Sequence, residues 1–316
     1  MCLALRSLFQ LYRRAKEFDI IHLNGAWNLM SFIASRIAYY RKVPYVFSCR
    51  GHLGEHDFTR YYAIKPFLYA FLERRNIRDA ECVHVCSKWE KESSMRALRP
   101  AKRIVEIPNA VDLSDFTPPV TREEARRLMG IPVDEFIVIF FGRVERVKNP
   151  RFLLEAFARA GLPENTKLYF VGPPVRKLKN VLLKDVESYK LQNRVVFIDF
   201  AGGKKRQAWL SAGDLFALPS SDDSFSVAVI EAATAGTHCL LSPFVGAAEF
   251  LPDGMATICE LSVDIWAETL RKMYHNPPPQ QIPSSDFTAQ FSLETIGKRW
   301  LEIYTEILKR SSVYQK

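Results

Sequence analysis

The 316-residue chain carries 44 Lys plus Arg against 35 Asp plus Glu, a net charge of +9, and 48% of its residues are hydrophobic. That apolar share excludes wholesale disorder, and at roughly 150 residues per domain the length predicts two globular domains. The positive balance favours phosphate-bearing partners: nucleotides, nucleic acid or an anionic membrane surface.

No run of about 18 or more apolar residues occurs, so no spanning helix is predicted. The opening segment resembles a signal peptide only faintly, because Arg6 interrupts its apolar stretch and Arg13-Arg14-Ala15-Lys16 stands where small residues would be cleaved. It fits better an amphipathic helix with Leu5, Leu8, Phe9 and Tyr12 on one face, expected to pack on the core, with a membrane-surface helix as the alternative. β-rich runs then alternate with helical patterns, the mark of parallel sheets with crossover helices. The first block has strands at Asp19–Leu23, Tyr45–Ser48, Cys82–Cys86 and Ile104–Ile107, with helices near 28–41, 64–78 and 88–97.

Six cysteines are scattered through the chain, which fits a reducing cytoplasm rather than a disulfide framework. Alternation puts Cys82, His84 and Cys86 on one strand face. Side chains there stand about 6.6 Å apart, at roughly 3.3 Å per residue. Zinc ligands lie about 2.0–2.3 Å from their ion, so no metal is predicted.

Thr117-Pro118-Pro119 breaks regular structure, and a charged helix from Arg122 to Met129 leads into the second block. Its strands are expected at 136–141, 167–171, 195–198, 215–218 and 239–242, with helices near 151–160, 179–190, 204–212 and 226–235. Asn276-Pro277-Pro278-Pro279 is a second breaker. A terminal helix then carries Leu293, Ile296, Trp300, Leu301, Tyr304, Ile307 and Leu308 at helical spacing. The expected organisation is a first domain over 1–118, a second over 119–285, and a helix over 286–316 returning to the first.

In parallel α/β sheets ligands gather beyond the carboxyl ends of strands, and three such segments carry chemistry. Gly142-Arg143-Val144-Glu145-Arg146-Val147-Lys148 offers a tight turn and two cations able to straddle a diphosphate. Without a ligand it is simply a solvated basic loop. Asp223-Ser224-Phe225-Ser226 opens a helix ending at Gly236, where backbone N–H groups form an anion site with Asp223 at the mouth and Glu231 further along. A cap at Asp223 and a surface acid at Glu231 would explain the same residues. Ile107-Pro108-Asn109-Ala110-Val111-Asp112 is a turn at the hinge, stable through its Asn and Asp side chains alone.

Taken in order, these segments resemble family 4 of the retaining glycosyltransferases, which have the GT-B fold of two Rossmann-like domains. Ile21-His22-Leu23-Asn24-Gly25-Ala26-Trp27 resembles that family's V-H-x-H-G-x-W, and Ser48-Cys49-Arg50-Gly51-His52-Leu53 its S-P-[RH]-G-x-L. Ile107–Asp112 resembles I-P-N-G-V-D, Phe141–Asn149 the G-R-x-x-x-x-K loop, and Asp223 to Glu231 the E-x7-E element. The resemblance implies that Arg143 and Lys148 hold the diphosphate of a nucleotide-sugar and stabilise it as the sugar leaves. It implies that Glu231 binds the ribose and that Asp223 holds the sugar, assisted by the N–H groups of Phe225 and Ser226 with Ser224 beside them. Arg50 or His52, with Asn24 and Asn109, would contact the sugar or a saccharide or lipid-linked acceptor. No metal, separate cofactor or protein nucleophile is implied. The implied setting is glycan or polysaccharide synthesis in the cytoplasm, peripheral on the inner membrane face.

The chain departs from the pattern in places. The family's opening strand and glycine-rich loop do not precede Asp19, so the first domain is expected to be incomplete at its N-terminus. Asp223 stands for glutamate, Ala110 and Ser226 for glycines, Asn24 for histidine, and His238 for proline. The competing readings are a catalytically inactive nucleotide-binding GT-B protein and a nucleotide-sugar epimerase. The Arg143/Lys148 loop and the D-x7-E element speak against the epimerase. Nucleic acid is not an expected partner, because the cations are dispersed without aromatic stacking motifs.

Overall fold

The computed structural model describes residues 2–54 and 65–313, which form two compact units. One unit runs up to Ala110 and takes in the chain from Leu293 onward; the other spans Val111–Ser292.

In the first unit, β1 (Ile21–Asn24), β2 (Tyr45–Ser48), β3 (Cys82–Val85) and β4 (Ile104–Glu106) form a parallel sheet in that order. β2 and β3 are buried throughout, as expected of strands covered on both faces. Helices Leu29–Arg41 and Lys88–Leu98 cross between strands, capped by Asn28 and Ser87. The third crossover is described from Lys65 to Asp79 and contains a π-helical stretch at Tyr69–Glu73.

The opening helix, Cys2–Arg14, departs from expectation. Leu8 is buried, but Phe9 and Tyr12 are 61% and 50% exposed. Their rings lie beside the guanidinium groups of Arg13 and Arg41 instead of in the core. The expected core face is therefore narrower than its spacing suggested; Leu5's side chain lies outside the described residues.

The closing helix, Leu293–Val313, packs on the first sheet through Trp300, Ile303, Tyr304 and Ile307; Ile296 is buried, and Leu293 and Leu301 are exposed. A polar chain fixes it there. Tyr304 lies 2.6 Å from His22 Nδ1, His22 Nε2 2.6 Å from Ser48 Oγ, Ser48 Oγ 2.8 Å from His84 Nδ1, and His84 Nε2 2.7 Å from the Ile107 carbonyl. Because a carbonyl only accepts, neutral rings allow one proton order: Tyr304 donates to His22, His22 to Ser48, Ser48 to His84 and His84 to Ile107. Burial, aided by the Arg50 charge, lowers the His22 pKa to about 4. Burial lowers that of His84 to about 3. His84 is thus a link in a hydrogen-bonded chain.

The second unit holds β5 (Phe136–Phe141), β6 (Thr166–Val171), β7 (Val195–Ile198), β8 (Leu215–Leu218), β9 (His238–Leu241) and β10 (Ala256–Ile258), all parallel. Their order is β10-β9-β8-β5-β6-β7. The chain runs outward from β5 to β7, returns to β8 beside β5, and runs outward the other way. A crevice therefore opens beyond the carboxyl ends of β5 and β8, where the two connections part. β10, a short, partly exposed edge strand, and the helix Val263–His275 are elements beyond those expected from the sequence.

The units divide earlier than the proline-rich stretch suggested, at Ala110/Val111. Residues 111–118 are fastened to the second unit. Val111 N–H donates to the Phe291 carbonyl at 2.9 Å, and Gln207 donates to the Pro118 carbonyl at 2.8 Å. Phe287 and Phe291 likewise pack among Phe225 and Phe250, which extends this unit to Ser292.

Candidate functional site

The crevice between β5 and β8 is built from two loops laced together by backbone. Gly142, at φ +123, turns the chain out of β5, and a Cβ on the neighbouring Gly172 would strike the Gly142 carbonyl. Two glycines side by side thus let the loop fold back over the strand ends. The loop then forms a 3-10 turn at Arg146–Lys148, whose Val147 carbonyl accepts from Ser221 N–H at 2.8 Å and from the Ser220 and Ser221 hydroxyls at 3.1 Å. Asn149, in the left-handed region, donates to the Pro219 carbonyl at 2.9 Å.

This lacing brings Lys148 Nζ to 3.5 Å from Asp223 Oδ2, with both side chains mostly buried. The other carboxylate oxygen of Asp223 accepts from Ser226 N–H at 2.8 Å and Phe225 N–H at 3.4 Å. Asp223 is therefore both cap and ion-pair partner. The N–H groups of Phe225 and Ser226, expected to assist at a sugar, are occupied by Asp223 here. The amides of Val227 and Ala228 begin the helix Val227–Thr234 and carry its positive end.

Ser226 sits at φ +48, a conformation natural to glycine, and its buried hydroxyl has no hydrogen-bond partner among the described residues. Phe225 is buried against Phe250 and Phe291, so its side chain builds the wall rather than the surface of the crevice. Ser224 is partly exposed on the same turn.

Two predicted residues have partners other than the Lys148–Asp223 pair. Arg143 is 69% exposed and lies 3.5 Å from Glu145, not against the Lys148–Asp223 pair. Glu231, one turn into the helix, is buried with Oε1 at 2.8 Å from Arg206 Nη1. Burial raises the Glu231 pKa to about 7, with Arg206 lowering it and Asp115 raising it. No sequence pattern singled out Arg206.

In the first unit, three predicted residues meet. Arg50 donates through Nε to Asn24 Oδ1 at 3.0 Å and through Nη1 to Asn109 Oδ1, with Cys86 Sγ at 3.9 Å. His52 stands apart: its carbonyl accepts from the Trp27 indole and its side chain is exposed. Glu90 holds this arrangement and was missed in the sequence. Its two oxygens accept from Gly51 N–H at 2.5 Å and Cys86 N–H at 2.6 Å, fixing the left-handed turn at Arg50. Burial pushes its carboxyl up, and those N–H groups pull it down. Ser87-x-x-Glu90 is a capping-box pattern that could have flagged it; Ser87 accepts from Glu90 N–H at 3.0 Å, but the carboxylate reaches further. Glu73 similarly accepts from Trp27 N–H at 2.7 Å.

Two Rossmann-like units of parallel sheet, with charged loops at the reversal point of the second, define the GT-B fold class. Residues 121–285 match the family described as glycosyl transferases group 1, and residues 1–110 match the glycosyl transferase 4-like domain. The chain belongs to the group 1 glycosyl transferases. It is 28% identical over 236 residues to the D-inositol 3-phosphate glycosyltransferase of Mycolicibacterium smegmatis, covering 73% of this chain and 54% of that one. The chain spans about half the length of the curated relatives it matches.

Among solved structures, sucrose-phosphate synthase from Thermosynechococcus elongatus superposes with a TM-score of 0.79 at 20% identity, over 96% of this chain and 77% of that one. Anabaena HepE in complex with UDP-glucose gives 0.77 at 19% identity, over 95% and 82%. These likenesses show the shared fold.

Proposed function

We propose that the protein is a retaining glycosyltransferase that moves a sugar from a nucleotide-diphosphate-sugar to a saccharide or lipid-linked acceptor. The observation that carries this reading is the Lys148–Asp223 pair at the reversal point of the second sheet, beside a helix N-terminus. A cation and a positive helix end stabilise the negative charge that grows on a leaving diphosphate. Arg143, exposed on the same loop, adds a second cation on reorienting from Glu145. Asp223 accepts hydrogen bonds from sugar hydroxyls, and Glu231 accepts those of the ribose. These groups supply the charge stabilisation without a metal, and the acceptor is the nucleophile. Within the first unit, Arg50, positioned by Asn24 and Asn109, presents a guanidinium suited to saccharide hydroxyls. The complex of HepE with UDP-glucose supports a nucleotide-sugar donor on this fold.

We further propose a role in glycan or polysaccharide synthesis at the cytoplasmic face of a membrane. No described helix is long and apolar enough to cross one. Exposed Phe9, Tyr12, Tyr39 and Tyr40 among Arg13, Arg41 and Lys42 suit an anionic surface.

A screen of UDP- and GDP-sugars for hydrolysis and for transfer to saccharide and lipid-linked acceptors, with Lys148→Ala as control, tests the activity. Equal turnover by both proteins would refute the assigned role. Nucleotide binding with no transfer to any acceptor would favour a non-catalytic nucleotide-binding protein.

A further inference from the structure

Glu231 sits in an unusual setting for a residue meant to meet a ligand. Its side chain is 5% exposed, and one oxygen is already held by Arg206 at 2.8 Å. The guanidinium is itself fixed on several sides. Its Nη2 lies 3.1 Å from Asp115 Oδ2, and its carbon stands 5.5 Å from the Phe116 ring centre. The helix that carries it, Lys204–Ala212, is fastened to residues 117 and 118 by Lys204 and Gln207. The Nε of Arg206 is buried without a hydrogen-bond partner among the described residues.

We infer that Arg206 is a positioning residue for donor binding: it engages Oε1 of Glu231 and favours the carboxylate form, leaving Oε2 to accept the ribose hydroxyls of the nucleotide. This rests on the ribose role given to Glu231 above. The chemistry follows from the diol, which arrives with hydroxyl donors. A carboxylate accepts them, whereas a carboxylic acid brings a competing donor of its own. The charged groups acting on Glu231 are Arg206, which favours the ionised form, and Asp115, which opposes it. Burial raises the carboxyl and Arg206 pulls it back, the balance falling at about 7, so removing the cation shifts which form meets the nucleotide at neutral pH. Asp115 shares the guanidinium and thereby tunes its grip.

The test is calorimetric titration with UDP, and with GDP in parallel, across the range from about pH 6 to about pH 9. The proteins are wild type, Arg206→Met, Arg206→Lys, Asp115→Asn and Glu231→Gln. Wild-type affinity should rise as pH passes about 7, while Glu231→Gln binds weakly and shows only the nucleotide's own pH dependence. Arg206→Met should move the midpoint upward by about one pH unit or more and weaken binding about tenfold at neutral pH, recovering in alkali. Arg206→Lys should restore much of the wild-type profile, and Asp115→Asn should move the midpoint downward.

An unchanged midpoint in Arg206→Met, beside a weakened Glu231→Gln, would overturn the inference while leaving the ribose role intact. Should Arg206→Met fail to fold, Arg206→Gln takes its place, and an unchanged midpoint there would overturn it equally. Glu231→Gln binding as wild type does, or wild type binding neither nucleotide, would remove the donor-site reading and the inference with it.

Discussion

Lys148 and Asp223, on loops from different strands, face each other with Nζ 3.5 Å from Oδ2 at the point where the second sheet reverses its strand order. The loops meet because the Val147 carbonyl gathers donors from Ser220 and Ser221 and Asn149 reaches the Pro219 carbonyl. A side chain so confined loses little freedom on meeting a diphosphate, whereas the exposed Arg143 must be ordered by it.

Lys148→Ala should therefore weaken binding of the nucleoside diphosphate more than Arg143→Ala does. A hydrogen bond to a charged group contributes about 1.5–3 kcal/mol, or roughly tenfold to over a hundredfold in affinity. Calorimetric titration of the two variants side by side measures the difference. Arg143→Ala matching or exceeding Lys148→Ala would contradict the ranking.

Asp223 separates folding from chemistry. Asp223→Asn keeps an oxygen to accept from Ser226 N–H and loses the charge beside Lys148. Asp223→Ala loses the cap as well and should be about 1 kcal/mol less stable than Asp223→Asn. Urea unfolding reports that difference. Sugar transfer should fall in both variants, since neither retains the carboxylate beside Lys148.

Glu90→Gln replaces one acceptor with an amide NH2 facing a backbone N–H, either that of Gly51 or that of Cys86. The clash leaves a buried donor without an acceptor, at about 1–3 kcal/mol. Loosening of the Arg50 turn should accompany it, visible as faster amide exchange at Gly51. Wild-type stability and exchange would show that Glu90 does not hold this turn.

The His22–Ser48–His84 chain gives a pH dependence of definite sign. Both native pKa values, about 4 and about 3, lie below the 6.5 of an unperturbed histidine. Between those limits the unfolded chain binds more protons, so this contribution is complete above about pH 6.5 and falls away toward pH 4. Glu231 acts oppositely in the other unit: with its pKa raised from 4.5 to about 7, its contribution is lost as pH rises through that window. The histidine effect is thus read as the difference between wild type and a His22→Gln/His84→Gln variant in denaturant midpoints. A difference that does not shrink as the solution is acidified would dismiss it.

Much of this protein is legible in its sequence, because burial periodicity and loop chemistry are local properties. The run Phe136–Phe141 must be a strand covered on both faces, and Gly142 and Gly236 end their elements through conformations glycine adopts freely. The order of the charged segments likewise points to the family. Partners distant in sequence are not legible, since they depend on how strands are ordered and loops laced. Only the folded chain joins Lys148 to Asp223, turns Arg143 toward Glu145 and sets Arg206 against Glu231. It also leaves Phe9 and Tyr12 outside the core, because helical spacing specifies a face but not what covers it.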